Sequence, residues 1–282
     1  MDYRDEFRVK PGARVKLSKL DPGYVGRRLS RGRAQEETER HCAEIGKQQH
    51  LLYAGKEHAL LIVLQGPDAA GKDGTVTHVM SAMNPEGTVV TSFKRPTAEE
   101  LDHDFLWRIH PRAPGRGSVA VFNRSHYEDV LAVRVHDLVP KAVWSERYSL
   151  INGFENLLRT QNNTHIVKFF LHISKAEQLK RFKQRLDDPA HNWKISEDDY
   201  KERERWDDYV AAYEDVFAET STGHAPWYVV PSNHKWFRNL VVSQIVAATM
   251  KDLRMQLPKP TVDLKAIRRL YHRDVERDGQ KG

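Results

Sequence analysis

The stretch Gly66-Pro-Asp-Ala-Ala-Gly-Lys-Asp-Gly74 sets two glycines and a lysine at the spacing G-x-x-x-x-G-K. That spacing suits a loop whose backbone N–H groups converge on phosphate oxygens. Glycine lets the chain turn tightly, the following helix adds its positive N-terminus, and the lysine reaches the terminal phosphates. Gly66, Ala69, Ala70, Gly71 and Gly74 form the expected cradle, and Lys72 supplies the charge. Two acids depart from the common pattern. Asp73 stands where Ser or Thr gives a hydroxyl to Mg²⁺. Asp68 lies inside the loop, where a carboxylate among phosphate-facing amides is unfavourable unless a divalent cation bridges it to the ligand. Asp68 is therefore read as a ligand of Mg²⁺, which Mn²⁺ could replace; the alternative is an Asx-type turn cap.

A second group follows the run Ser118-Val-Ala-Val-Phe-Asn123, where a Walker-type strand normally ends in a metal-holding Asp. Asn123 keeps a weaker version of that role through its side-chain carbonyl, so Asp68 and Asn123 are the expected metal set. Arg124 emerges next, placed to neutralise charge on a phosphoryl group in transfer. Glu128 lies one helical turn on, either supplying acidity for metal or acceptor positioning or serving as a cap. Lys94 and Arg95, just past another strand-like run, could hold acceptor phosphate or a polyanion. The basic stretch from Lys180 to Lys194 contributes Arg181, Arg185 and Lys194 as an expected lid over bound anions; the plainer reading is surface charge paired with Asp187 and Asp188. His103, His110, His126 and His136 have no metal-site spacing and read as structural. An ionised phosphate acceptor needs no general base, so no triad is sought among the fourteen histidines.

These residues need a scaffold that brings strand ends together. Strand-like runs at Ala59–Gln65, Thr88–Phe93, Ser118–Asn123, His165–Ile173 and Trp227–Pro231 alternate with helical patterns. The helices are expected at Gln35–Leu52, Lys72–Met83, Ala98–His110, His126–His136, Pro140–Thr160, Lys175–Leu186, Glu197–Ala218 and Lys235–Met255. The alternation predicts an α/β fold: a doubly wound, five-stranded parallel sheet flanked by helices, with its site at the carboxyl ends of the strands. Three regions are expected: a basic N-terminal arm over 1–33 that wraps the domain or frays, a P-loop phosphotransferase domain over 34–256 with a lid at about 181–200, and a basic tail over 257–282.

Several motifs together resemble the second family of polyphosphate kinases. They are the Gly66–Gly74 loop, Ser92-Phe-Lys-Arg-Pro-Thr97, Phe105-Leu-Trp-Arg-Ile-His110, Phe122-Asn-Arg-Ser-His-Tyr-Glu-Asp-Val-Leu131 and Lys168-Phe-Phe-Leu-His-Ile-Ser174, within a match running from about Gln35 to Leu257. The resemblance implies a thymidylate-kinase-like P-loop kinase fold with a helical lid. It also implies reversible, Mg²⁺-dependent transfer of the terminal phosphoryl group between inorganic polyphosphate and a nucleotide, with Asp68, Lys72 and Arg124 as catalytic residues. The Asn-Arg-Ser-His-Tyr-Glu-Asp segment is most similar to the branch that accepts both AMP and ADP, forming ADP and ATP. The Walker B Asp of the ADP- or GDP-specific branch corresponds to Asn123 here. The same branch implies a homo-oligomer, dimer or tetramer, for which Pro140–Thr160 offers a long helix. An ATP-dependent nucleoside monophosphate kinase would share the loop and lid, but it would not account for Asp73 in place of Ser or Thr.

Composition bounds what remains. Among 282 residues, 45 Lys and Arg face 39 Asp and Glu, a net charge of +6. Residues 1–33 carry ten basic side chains against four acids and residues 251–282 nine against five, whereas residues 34–250 hold 26 basic and 30 acidic side chains. The central domain must therefore hold anions with placed groups rather than bulk charge. A nucleic-acid-binding protein gripping phosphates with its basic ends is the competing reading, and neither nucleic acid nor membrane is an expected partner. A single cysteine, Cys42, excludes an intrachain disulfide, and the longest apolar run, Ala59–Leu64, is too short to span a bilayer. The charged N-terminus lacks the apolar core of a secretory signal, so a cytoplasmic location is expected.

Overall fold

Ala59–Gln65 is buried at every position, as a strand covered on both faces by helices must be. In the computed structural model, which describes residues 2–26 and 29–279, this segment (β1) is the centre of the sheet. The other strands are β2 (Thr88–Ser92), β3 (Val119–Asn123), β4 (Thr164–His172) and β5 (Trp227–Pro231), in the order β2-β3-β1-β4-β5, with every ladder parallel. Side chains alternate across β1. Leu60, Ile62 and Leu64 enter one core with residues of the helix at Lys235–Asp252, and Leu61 and Val63 enter the other with those of Lys141–Asn162 and Trp206–Thr220. Leu64 pairs with Asn123, so the loop after β1 and the chain after β3 leave the sheet side by side.

The helices are α1 (Tyr3–Phe7), α2 (Arg31–Gly55), α3 (Lys72–Val79), α4 (Ala98–Leu101), α5 (Ala132–Val135), α6 (Lys141–Asn162), α7 (Lys175–Asp187), α8 (Glu197–Glu204), α9 (Trp206–Thr220), α10 (Lys235–Asp252) and α11 (Leu264–Gly279). Several expected helices are shorter or broken; the one expected over Lys72–Met83 ends at Val79 and passes into a 3₁₀ turn, Met80–Ala82. The one expected over Ala98–His110 keeps a single turn closed by a Thr97–Glu100 capping box; Asp104 then accepts the Leu106 N–H at 2.9 Å and folds the chain into turns. His126–His136 divides into a 3₁₀ turn, His126–Asp129, and α5. Glu197–Ala218 breaks at Arg205 into α8, none of whose residues is buried, and α9, which packs on the core through Ala212, Tyr213, Val216 and Phe217. Among the described residues no helix is long and apolar enough to cross a membrane.

The arm does not fray. Tyr3, Val9 and Leu17 are buried, the Val9 N–H donates to Trp227 O at 2.9 Å, and Glu214 accepts the Leu17 N–H at 2.8 Å. An arm so embedded wraps the domain, the first of the two alternatives expected for it. Arg27 and Arg28 of the arm, Met1 and the last three residues of the basic tail lie outside the described residues. Within the rest of the tail, Leu264–Gly279 forms α11, whose Leu264, Ile267, Leu270, Tyr271 and Val275 are exposed.

Beneath the strand ends lies a polar network without solvent access. Lys168 of β4 donates to Glu155 Oε2 at 2.7 Å, Tyr127 Oη at 2.8 Å and Thr220 O at 2.8 Å, and Tyr127 donates to Glu155 Oε1 at 2.8 Å. Against the pull of burial, Lys168 holds the Glu155 carboxyl below the ordinary glutamate range. His126, with Nε2 3.4 Å from Glu155, closes the cluster as a neutral ring whose pKa burial depresses.

Candidate active site

The loop after β1 makes the turns its residues allow. Gly66 and Gly71 take φ of 147° and 107°, and a Cβ on Gly66 would stand 2.9 Å from Leu171 O, so glycine is required there by conformation and by space. Ala69 also holds a positive φ, 62°. Lys72 opens α3 and folds back over the loop, its Nζ donating to Gly66 O at 2.6 Å and Pro67 O at 3.1 Å. Burial, and then the charge of Arg124, push this ammonium from the ordinary 10.5 down to about 8, against the pull of Asp68, Glu128 and Asp73.

Arg124 follows β3 with φ 61°, a left-handed conformation that costs a non-glycine residue about 1 kcal/mol or more. Its N–H donates to Leu64 O at 3.0 Å, which binds it to the end of β1, and its Nη2 donates to Asp68 Oδ1 at 2.5 Å. The expected catalytic trio therefore converges at the mouth of the loop. Burial opposes the charge on Arg124, but Glu128 and Asp68 more than offset it and raise its pKa.

Asp73 is occupied from two sides. Asn123 Nδ2 donates to its Oδ1 at 2.8 Å, and Lys194 Nζ lies 3.5 Å from its Oδ2. Asn123 and Lys194 hold it below the ordinary aspartate value, although burial alone would raise it. A carboxylate so engaged is compatible with a phosphate loop, and the contact ties the segment after α7 to the P-loop. Arg185 supports that segment by donating to Lys194 O at 2.8 Å.

Arg181 departs from its expected place in the lid. Only 4% exposed, it spends its five N–H groups on Glu177, Ala69 O, Ala70 O, Ser232 O and Asn233 O, which makes it a brace beneath the loop. Gln178 adds a second brace, donating to Asp68 O at 3.0 Å. Helical periodicity already places Gln178 and Arg181 on one face of α7; only the docking of that face under the loop shows what they do.

The loop opens into a cleft of about 1290 Å³ whose walls include Asp68, Lys94, Arg124, Glu128 and Lys175. Lys94 is exposed there, and its carbonyl accepts from Arg108 Nη1 at 2.9 Å. Asp129 is buried in the same wall between Arg108 and Arg147, at 3.7 and 3.6 Å, and burial lifts its carboxyl to about 6. The acids contributed by α8 are each paired: Asp198 with Arg95, Asp199 with Arg185 and Glu202 with His136. As a donor set for Mg²⁺, Asp68 offers one carboxylate, which fits a cation that completes its shell with ligand phosphates and water. Among the described residues no group of three or more His, Cys, Asp or Glu could hold a metal alone. The amide nitrogen of Asn123 is committed to Asp73, leaving its Oδ1 for any metal contact.

Residues 28–258 match the family profile of Polyphosphate kinase 2 (PPK2), more than half of the chain. The chain belongs to the polyphosphate kinase 2 family. It is 46% identical to the AMP/ADP-polyphosphate phosphotransferase of Meiothermus ruber, over 90% of this chain and 96% of that protein. It is also 46% identical to the ADP-polyphosphate phosphotransferase of Rhodopseudomonas palustris, over 91% of this chain and 92% of the relative. The crystal structure of polyphosphate kinase 2 from Arthrobacter aurescens TC1 superposes with a TM-score of 0.92 at 42% identity, covering 97% of each chain. The expected α/β P-loop kinase architecture is therefore that of the polyphosphate kinase 2 family.

Proposed function

We propose that the protein moves the terminal phosphoryl group between inorganic polyphosphate and AMP or ADP, forming ADP or ATP, reversibly and with Mg²⁺. The observation that carries this reading is the Asp68–Arg124 ion pair beside Lys72, at the mouth of a phosphate loop that opens into a cleft. Phosphoryl transfer asks the protein for position and charge stabilisation rather than covalent chemistry. Lys72 would leave the loop carbonyls and take phosphate oxygens instead. Arg124 would face the three equatorial oxygens of the group in flight. Lys194, already against the loop at Asp73, would help to exclude water over the anions. Asp68, with the carbonyl of Asn123 as a second donor, would hold Mg²⁺, whose charge offsets that of the phosphates.

The test mixes purified protein with long-chain polyphosphate, Mg²⁺ and, separately, AMP, ADP, GMP and GDP. ADP from AMP and ATP from ADP are the expected products. Phosphorylation of AMP or dTMP by ATP, with none from polyphosphate, would replace this reading with a nucleoside monophosphate kinase. The branch similarity and the stripe of exposed Val143, Leu150 and Leu157 on α6 favour a homo-oligomer, which a 32.7 kDa mass by light scattering would exclude. A cytoplasmic location agrees with polyphosphate and nucleotides as substrates.

The depressed Lys72 ammonium adds a pH signature. In the free protein it loses its proton as pH rises through about 8, whereas a bound phosphate favours the charged form. ADP binding should therefore take up a proton above pH 8 and weaken as pH rises further. Calorimetry in two buffers of different ionisation enthalpy measures this; proton release or no uptake at pH 8.5 would refute it.

A further inference from the structure

Behind the phosphate loop, on the side away from the cleft, α10 presents Arg238. The side chain is 1% exposed. Its Nε and Nη2 both donate to Asn239 Oδ1, at 3.1 and 2.7 Å, and among the described residues no carboxylate pairs with it. Its Nη1 is turned onto the loop: a Cβ on Gly71 would lie 1.8 Å from Nη1, and a Cβ on Gly74 3.2 Å from Nη2. Glycine at 71 is thus demanded twice, by its φ of 107° and by the guanidinium that fills its side-chain space.

A buried cation without a counter-ion is costly. Here burial, with Arg181 as the neighbouring like charge, pushes the guanidinium down to about 9. Arg181 has Glu177 at 2.8 Å; among the described residues Arg238 has only an amide oxygen. The site is also close to the N-terminus of α3, whose dipole adds to the positive field. What Arg238 and the α3 N-terminus lack is an anion, and the loop beside them is built to hold one.

We infer that Arg238 is a positioning residue for phosphate binding: its guanidinium, packed behind Gly71 and Gly74, takes the phosphate bound in the loop as its missing counter-ion and acts on it through the loop backbone. The inference rests on the loop's being the phosphate site. It also explains an otherwise unfavourable arrangement, because the free protein carries a charge whose cost is recovered when the ligand binds.

The experiment compares wild type with Arg238→Met, which keeps length without charge, and Arg238→Lys, which keeps charge. Thermal melting of the ligand-free proteins and calorimetric affinity for ADP with Mg²⁺ and for inorganic tripolyphosphate are measured. Arg238→Met should melt no lower than wild type without ligand, yet bind ADP about tenfold or more weakly, and so gain less thermal stabilisation from it. Arg238→Lys should recover most of the affinity. A ligand-free Arg238→Met that melts well below wild type or fails to fold, or one that binds ADP within twofold of wild type, would overturn the inference. Wild-type protein that binds neither ADP nor tripolyphosphate would instead overturn the phosphate-loop reading on which it rests.

Discussion

Arg124→Ala is expected to lower kcat for polyphosphate-driven ADP phosphorylation by about 10³-fold or more, the range in which an arginine facing a transferring phosphoryl group acts. The geometry explains why no neighbour can substitute. Arg124 is fixed at both ends, by its own N–H to Leu64 O and by its guanidinium to Asp68, and its left-handed backbone aims the side chain across the loop. Arg124→Lys should be nearly as damaging, because an ammonium cannot present the planar set of donors that spans several oxygens. Both variants should melt close to wild type, since the Asp68 carboxylate they leave behind is 22% exposed in its side chain and can be solvated. A variant retaining a tenth of wild-type kcat would remove Arg124 from the transition state.

The second large effect concerns stability. Lys168→Met should cost about 3–5 kcal/mol, because it leaves Glu155 fully buried, charged and unpaired. Tyr127 Oη loses the Lys168 donor at the same time, and His126, already depressed by burial, is a poor replacement cation. In a chain of this size the loss should lower the melting midpoint by roughly 10 °C. Lys168→Met combined with Glu155→Gln should recover much of that loss, because removing both charges avoids the uncompensated ion. If the double variant simply adds the two single losses, the pair does not act as a coupled ion pair. Because Tyr127 lies three residues beyond Arg124, the single variant should also slow transfer; calorimetric melting and kcat on the same preparation separate the two effects.

The parts of this molecule written in local sequence were readable. The glycine and lysine spacing gave the loop, uninterrupted apolar runs gave the strands, and the meeting of Asp68, Lys72 and Arg124 followed from the parallel sheet. The misreading of Arg181 and the silence on Arg238 share one cause, tertiary partners that a linear pattern does not carry. Arg181 sits in a basic stretch and looks like lid charge, but five acceptors on three separate segments make it a brace. Arg238 belongs to no motif at all, and only its distance to Gly71 gives it meaning. The helix expected over Ala98–His110 failed for the opposite reason, since a short-range Asp104 turn outweighs helical periodicity there.

The embedded arm has a consequence for the order in which the protein is made. Its first residues leave the ribosome with nowhere to dock: Val9 needs Trp227, the Arg8–Tyr228 bridge needs β5, and Arg4 pairs with Asp252. Leu17, Ser18, Leu20 and Pro22, which line the cleft, belong to that same waiting segment. This arm, made before any strand of the sheet, is therefore placed only after β5 and α10 exist, and its wall of the cleft forms no earlier. A nascent chain arrested before β5 would carry the residues of the phosphate loop but not their supports at Ser232, Asn233 and Arg238, nor the arm's wall of the cleft.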